Sequence, residues 1–188
     1  MELDLGGVVK ESAVDRVALR CRQVGVRHGL VNLGGDVGIV GPRPDGEAWR
    51  IGIRHPRRPS ELIQTLQLHA GALASSGDYE RCIVLDGVRH GHILDPRTGW
   101  PVRHLASVSV VADLCVVAGS ASTIAMLKAE AGPAWLAETG LPHHWVGVHG
   151  EVGGSLGGQR GARSRAARIG STPSGSSAST GVSTPAST

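Results

Sequence analysis

Residues 105–129, "LASVSVVADLCVVAGSASTIAMLKA", decide the fold class because they join a strand pattern to a helix pattern. The first eight residues are short and Val-rich, which is typical of a β-strand. Asp113 is then placed to cap a helix that runs to about Ala129, and Gly132-Pro133 is expected to end it. The positions that share one face of this helix are Val116, Val117, Ser120, Thr123, Ile124 and Leu127.

The segments on either side extend this pattern. Apolar residues recur at three- and four-residue steps from Val9 to about Val24, which predicts an amphipathic helix that Gly25 ends. A short helix is expected around Trp135, followed by a last strand, "HHWVGVH". Between the two long helices lie the short strand patterns "HGLVNLGGDVGIVG", "AWRIGIRHP", "LIQTLQL", "GALASS" and "RCIVLDGVRH". The sequence therefore predicts an α+β domain, with helices against one face of a mainly antiparallel sheet.

A change in composition divides the 188 residues into two parts. Residues 1–150 are predicted to fold, whereas residues 151–188 are rich in Gly, Ser, Thr and Ala and are predicted to be a disordered tail. The tail holds four Arg and one Glu, which equals the net charge of +3, so the folded part is neutral. We therefore expect no nucleic-acid partner for the folded part.

Cysteine and hydropathy patterns bear on the compartment. Cys21, Cys82 and Cys115 are far apart and lie among apolar neighbours, which favours buried free thiols. No apolar run approaches the roughly 20 residues that span a bilayer, so no membrane segment is expected. Residues 1–20 contain four acidic residues where a signal peptide would be basic and then apolar, which predicts a cytoplasmic chain as written.

Two double glycines are candidate ligand-binding turns. Gly6-Gly7 precedes a helix with Lys10 in its first turn, so backbone N–H groups could bind a phosphate there. Alternatively, the glycines form only a tight turn and Asp4 caps the helix. The second, in "NLGGD" at residues 32–36, is by itself a hairpin turn or bulge.

Three further segments carry polar groups that could do chemistry. In "LASSGDYER", Ser75 and Ser76 offer hydroxyls, or form a polar loop. In "HGHILDPRTGWPVRH", His90 and His92 are a strand period apart, and His92 is suited to acid–base work beside a rigid turn. A zinc site is less favoured than a turn-supporting role because no third ligand has suitable spacing. In "VAGSASTIAMLK", small residues either admit a ligand or form a packing face.

These segments, taken in order, resemble the ApbE family of FAD:protein FMN transferases. The matching motifs are "DLGGVVKESAVDR", "VNLGGD", "WRIGIRHP", "ASSGDYER", "HILDPRTGWPVRHLASVSVVA" and "AGSAST". The resemblance implies an ApbE/T-fold-like α+β fold. It also implies an enzyme that binds FAD with Mg²⁺, attaches FMN to a Thr or Ser hydroxyl of an acceptor flavoprotein, and releases AMP.

The resemblance also implies a role for each residue that matches a family motif. His92 is the expected acid–base group. The expected cofactor contacts are Asp4, Lys10, Ile93 and Leu94, and the expected metal ligands are the carbonyl of Gly7 and the side chains of Ser122 and Thr123.

Two departures from the family pattern change these expectations. The family's helix motif has an Asp metal ligand at the position of Gly119, and Asp113 is no substitute because it lies roughly 9 Å away along the helix axis. Family members also carry a substantial N-terminal region before "DLGG", usually with an export or lipid-anchor signal. The chain is therefore expected to be the C-terminal part of a transferase, and the alternative is a non-catalytic flavin- or nucleotide-binding remnant.

Overall fold

The computed structural model describes residues 5–158, so Asp4 and residues 159–188 of the predicted tail lie outside the described part of the chain. The first helix, α1, spans Gly6–Gln23, close to the predicted Val9–Val24. It ends where expected, because Gly25 has a φ of +89°, in the left-handed region that glycine adopts without strain.

The main sheet has six strands in the order β1-β2-β5-β8-β9-β10, and every neighbouring pair is antiparallel. Two further hairpins are separate from this sheet: β3–β4 lies between β2 and β5 in the chain, and β6–β7 lies between β5 and β8. The bounds are β1 Gly29–Leu33, β2 Asp36–Gly41, β3 Trp49–His55, β4 Arg58–Leu68, β5 Ala72–Gly77, β6 Cys82–Leu85, β7 Val88–Gly91, β8 Leu105–Ala112, β9 His143–Gly147 and β10 Val152–Gly153. The predicted α+β class and the mainly antiparallel sheet are confirmed.

The two faces of the main sheet are covered by different elements. Side chains alternate along each strand, so Ala72 and Ala74 of β5 face the helices while Leu73 faces the opposite side. On the helix face these residues pack with Val14 of α1 and Met126 of α2, which spans Cys115–Leu127. On the other face, Leu73 packs with apolar residues of the β3–β4 hairpin. The helices thus cover one face of the sheet, as predicted, and the β3–β4 hairpin covers the other.

The start of α2 differs from the sequence prediction. Leu114 occupies the N-cap position and no side chain caps the helix there, so the expected cap by Asp113 is wrong. Asp15 of α1 instead accepts hydrogen bonds from the backbone N–H groups of Cys115 at 2.7 Å and Val116 at 2.9 Å. A carboxylate at a helix N-terminus satisfies free N–H groups wherever it comes from, and here it comes from a packed neighbouring helix.

The buried face of α2 is built from small residues. Ala118, Gly119, Ala121, Ser122 and Ala125 are buried, whereas Val117 and Ile124 of the predicted face are partly exposed. Small side chains let α1 and the sheet approach α2 closely. Close packing, and not hydrophobicity alone, therefore sets which side of α2 is buried.

The chain after α2 also departs from expectation at two points. Gly132-Pro133 does not follow α2 directly but begins α3, Gly132–Thr139, after a 3-10 turn at Ala129–Ala131. Residues 151–158, assigned to the tail from sequence, include β10 and a 3-10 turn at Ser155–Gly158. Gln64 donates a hydrogen bond to the carbonyl of Leu156, which packs on the hairpin side. Among the described residues, secondary structure therefore continues beyond residue 150.

None of the helices within residues 5–158 is both long enough and apolar enough to cross a membrane.

Candidate active site

Three hydroxyl groups meet between the sheet and α2. The Oγ of Ser76 lies 2.7 Å from the Oγ of Ser122 and 3.1 Å from the Oγ1 of Thr123. Ser76 belongs to β5, so the interpretation of this segment as a polar loop is wrong. Strand alternation directs Ser76 to the helix face, whereas Ser75 pairs with Ser109 across the β5–β8 ladder at 2.8 Å. We call Ser76, Ser122 and Thr123 the hydroxyl cluster.

Lys10 connects α1 to the "NLGGD" turn. Its Nζ lies 2.8 Å from Oδ2 of Asp36, whose side chain is only 3% exposed. A Cβ on Gly34 would lie 3.8 Å from Cδ of Lys10, so the lysine side chain lies along the turn. Burial lowers the pKa of Lys10, but the hydrogen bond and charge of Asp36 outweigh it and the net direction is upward. The Lys10 side chain thus links the first turn of α1 to the second glycine turn.

His92 follows β7 and is the acid–base candidate. Its Nδ1 lies 3.2 Å from the carbonyl oxygen of Arg81, so Nδ1 carries the hydrogen and donates it. The unprotonated Nε2 is then the atom that can accept a proton. Burial, followed by the positive charge of Arg81, lowers the pKa of His92 below its ordinary 6.5, and Lys10 contributes in the same direction. The imidazole is therefore neutral at pH 7.

His90 does not join His92. It belongs to β7, and its Nδ1 lies 3.2 Å from Nη2 of Arg103. Within residues 5–158, no group of three or more His, Cys, Asp or Glu side chains is arranged to hold a metal ion. A cation in this part of the chain would take at most two ligands of these types and would complete its coordination with other oxygen groups.

The aliphatic pair after His92 has two different environments. Ile93 packs against the apolar core on the helix face. Leu94 is 51% exposed and pairs with Pro101 across the turn that "DPRTGW" closes. The proposal that both line a flavin site stays a prediction.

A buried carboxylate that sequence reasoning missed lies beside the hydroxyl cluster. Glu11 is only 8% exposed and its Oε2 has no hydrogen-bond partner among the described residues. Its side chain fills the space next to Gly119, one helical turn before Ser122. The sequence did hold a signal, because Glu11, Val14 and Ala18 recur at helical steps and all three are buried.

These oxygen groups suit a hard cation such as Mg²⁺. Mg²⁺ prefers carboxylate, hydroxyl and phosphate oxygens, and an unpaired buried carboxylate is stabilised by a cation. Gly7, the predicted carbonyl ligand, lies one turn before Glu11 on the same side of α1. The residues that are present therefore fit the implied metal.

The hairpin face carries a cavity of about 350 Å³. Its lining includes Asn32, Gly34, Arg50, Ser75 and Tyr79, so the "NLGGD" turn borders both this cavity and Lys10. Arg57, in the turn between β3 and β4, forms two hydrogen bonds of 2.6 and 2.7 Å to the buried Asp78. This ion pair joins the hairpin to the strand end that carries Ser76.

The sequence profile of the ApbE family matches residues 1–144. The chain belongs to the ApbE family. A FAD:protein FMN transferase of Klebsiella pneumoniae (strain 342) is 42% identical over 113 residues, which is 59% of this chain and 34% of the relative. One of Vibrio cholerae serotype O1 is 35% identical over 131 residues, covering 68% of this chain and 39% of the relative.

Solved ApbE structures have the same fold. The ApbE protein of Thermotoga maritima matches with a TM-score of 0.75 and 37% identity, over 82% of this chain and 51% of that one. The flavinyl transferase ApbE of Pseudomonas stutzeri matches with a TM-score of 0.69 and 33% identity, over 80% and 48%. The chain therefore spans between a third and about half the length of these ApbE relatives.

Proposed function

We propose that this ApbE-family chain acts in FAD:protein FMN transfer. An acceptor flavoprotein presents a Thr or Ser hydroxyl, whose oxygen forms a new bond to the FMN phosphorus of FAD. The bond between the FMN phosphorus and the bridging oxygen of the pyrophosphate breaks, AMP leaves with the bridging oxygen and that bonding electron pair, and the hydroxyl proton passes to a base. The relatives named above are transferases of this kind, and each is longer than the match.

The observation that carries the proposal is the meeting of distant motifs around one polar site. Ser76 comes from "ASSGDYER", Ser122 and Thr123 from "AGSAST", and their hydroxyl groups lie 2.7 and 3.1 Å apart across the sheet–helix boundary. Lys10 and Asp36 join the two glycine motifs at 2.8 Å. A structural packing role would not require this concentration of buried oxygen groups.

Ser122, Thr123 and the carbonyl of Gly7 would hold Mg²⁺. When bound, the cation would neutralise charge on the pyrophosphate oxygens. Lys10 adds a positive charge that is already oriented by Asp36, so little side-chain freedom is lost when an anionic group binds. Asp4, Ile93 and Leu94 are proposed to contact the flavin nucleotide.

His92 is the proposed general base. With Nδ1 fixed by the carbonyl of Arg81, its Nε2 can take the proton of the acceptor hydroxyl. Its lowered pKa keeps Nε2 free at neutral pH. Replacement of His92 by Ala is therefore expected to lower the transfer rate by about 10²–10⁴-fold, the usual contribution of a positioned acid–base group.

The test is to incubate the purified chain with FAD, Mg²⁺ and an acceptor flavoprotein. Covalent flavin fluorescence in the acceptor band of a denaturing gel, with AMP released in equal amount, would support the proposal. An acceptor whose modified Thr is replaced by Val should stay dark. Tight FAD binding without AMP release would instead identify a non-catalytic flavin-binding chain, the alternative that Gly119 favours because the family motif has a carboxylate there.

A further inference from the structure

The side chain of Glu11 occupies the place of a side chain at position 119. A Cβ atom on Gly119 would lie 2.5 Å from Cγ of Glu11 and 2.9 Å from its Oε1. The first of these contacts is closer than non-bonded carbon atoms approach, so the two positions cannot both carry large side chains in this arrangement. Glu11 on α1 therefore presents its carboxyl group against the backbone of α2 where the helix has no side chain.

One oxygen of this carboxylate has no protein partner among the described residues. That oxygen, Oε2 of Glu11, is buried. The neighbouring ammonium of Lys10 is engaged with Asp36 at 2.8 Å. A buried carboxylate without a partner is unfavourable unless it binds a proton or a cation.

Other oxygen groups lie within one turn of α2. Ser122 donates a hydrogen bond to the carbonyl of Gly119 at 2.9 Å, and its Oγ also contacts Ser76. Thr123 is the next residue and shares the contact with Ser76. Glu11 contacts the Gly119 position, and Ser122 hydrogen-bonds the carbonyl of Gly119, so a carboxylate and hydroxyls are linked through the same turn of α2. Such an oxygen-only donor set selects a hard divalent cation over zinc or copper.

We propose that Glu11 supplies the carboxylate ligand for the divalent cation in this chain, in place of the Asp that the family motif has at position 119. The carboxylate has moved from α2 to α1 while its position in space is kept. This inference rests on the proposed function for the role of the cation, and it explains how a chain with Gly119 retains an anionic ligand.

The direct test is Mn²⁺ binding, because Mn²⁺ substitutes for Mg²⁺ and free Mn²⁺ is measured by electron paramagnetic resonance. We expect Glu11→Gln, which keeps the shape and removes the charge, to weaken Mn²⁺ binding to the full chain by at least about 10-fold. Glu130→Gln makes the same chemical change at an exposed position and should bind like the parent chain. Equal binding by Glu11→Gln and the parent, or no binding by the parent, would overturn the inference.

A double variant tests whether the carboxylate was relocated. Gly119→Asp alone should be crowded by Glu11 and place two carboxylates together, whereas Glu11→Ala with Gly119→Asp returns a single carboxylate to α2. This double variant should bind Mn²⁺ with a Kd within about 3-fold of the parent's, a smaller difference than the roughly 10-fold loss expected for Glu11→Gln. A folded double variant that binds no better than Glu11→Gln would contradict the proposal.

Thermal melting gives a second readout that requires neither the Mn²⁺ titration nor FMN transfer. Without divalent cation, Glu11→Gln should melt at a higher temperature than the parent, because a buried charge has been removed. With Mg²⁺, the parent should be stabilised and Glu11→Gln should not. A parent chain that melts at the same temperature with and without saturating Mg²⁺ would count against the site.

The outcomes separate this inference from the proposed function. If the parent binds Mn²⁺ through Glu11 but transfers no FMN, the transfer proposal fails and the metal site stands. If the parent transfers FMN and Glu11→Gln transfers equally well at limiting Mg²⁺, the transfer proposal stands and the role of Glu11 is wrong.

Discussion

The two faces of the six-stranded sheet are held by different kinds of contact. On the helix face, small residues bring α1, α2 and the sheet together, and buried polar groups such as Glu11 and Ser122 lie between them. On the hairpin face, an apolar cluster of branched side chains packs over Leu73, and the Arg57–Asp78 ion pair joins the hairpin turn to β5. Close approach on the first face brings the candidate site residues together, whereas apolar contacts and one ion pair hold the second face.

The largest stability effect is expected at the hairpin attachment. Replacing Asp78 by Ala leaves the guanidinium of Arg57 partly buried without its partner, and should lower the free energy of unfolding by about 2–3 kcal/mol. This is less than the roughly 3–5 kcal/mol expected for breaking a fully buried pair, because Arg57 is 32% exposed. Urea denaturation followed by circular dichroism measures the change.

The matched control lies in the same hairpin. Arg58 and Glu61 form an exposed pair at 3.0 Å, so Glu61→Ala should cost less than about 0.5 kcal/mol. If Asp78→Ala and Glu61→Ala unfold at the same urea concentration, the hairpin is held by its apolar cluster alone.

Two glycine-to-alanine substitutions compare a closely packed position on the helix face with a position on the hairpin. A Cβ on Gly38 of β2 would lie 2.6 Å from Cγ1 of Val14, which is fully buried and cannot move aside. Gly38→Ala should therefore destabilise the fold by about 1–2 kcal/mol through overpacking. Thermal or urea unfolding of the purified variant measures this cost.

Gly52 of β3 is the counterpart on the hairpin. Its Cβ would lie 2.7 Å from the methyl groups of Leu62, a side chain that is 61% exposed and free to rotate away. Gly52→Ala should change stability by less than about 0.5 kcal/mol. A loss as large as that of Gly38→Ala would mean that Leu62 is held in place as firmly as Val14.

The cap of α2 gives a smaller effect within the helix face. Asp15→Ala removes the acceptor for the N–H groups of Cys115 and Val116 and should cost about 1 kcal/mol, as loss of a helix cap does. Asp113→Ala, at the position that sequence alone favoured, should leave the unfolding midpoint unchanged. If Asp113→Ala lowered stability and Asp15→Ala did not, Asp113 would be the cap.

Local patterns in the sequence predicted most of the elements but not the contacts between them. The strands and helices follow from two-residue and three- to four-residue periodicity, and both long helices were placed to within about three residues. Asp15 and Cys115 are 100 positions apart, so no local pattern links them. The interpretation of α2 favoured its large apolar residues, but the close approach of α1 and β5 buries the small ones.

In the candidate site, too, residue types follow from the sequence but the contacts between them do not. Local patterns already indicate Lys10 and His92 as candidates, and the motif resemblance, which records residue types in order, adds Ser122 to them and gives Thr123 its predicted role. Ser76 was noted for its hydroxyl, but its direction depends on which face of β5 it occupies, and that is set by the whole sheet. Glu11 was missed because it is charged, although its spacing from Val14 and Ala18 places it on the buried face.

The smallest expected effect is the contribution of His92 to the pH dependence of stability. It tests the proposed protonation state of His92 without requiring FMN transfer. Burial and the charge of Arg81 lower the pKa of His92 in the folded chain below 6.5, so the unfolded chain binds its proton first as the pH falls. The contribution of His92 to stability is therefore constant above pH 6.5 and decreases as the pH falls below it. Nuclear magnetic resonance should show one imidazole signal, absent in His92→Gln, that titrates below 6.5, and His92→Gln should lose less stability between pH 7 and 5 than the parent. A signal that titrates at or above 6.5 would remove the argument that His92 is a neutral base poised at Nε2.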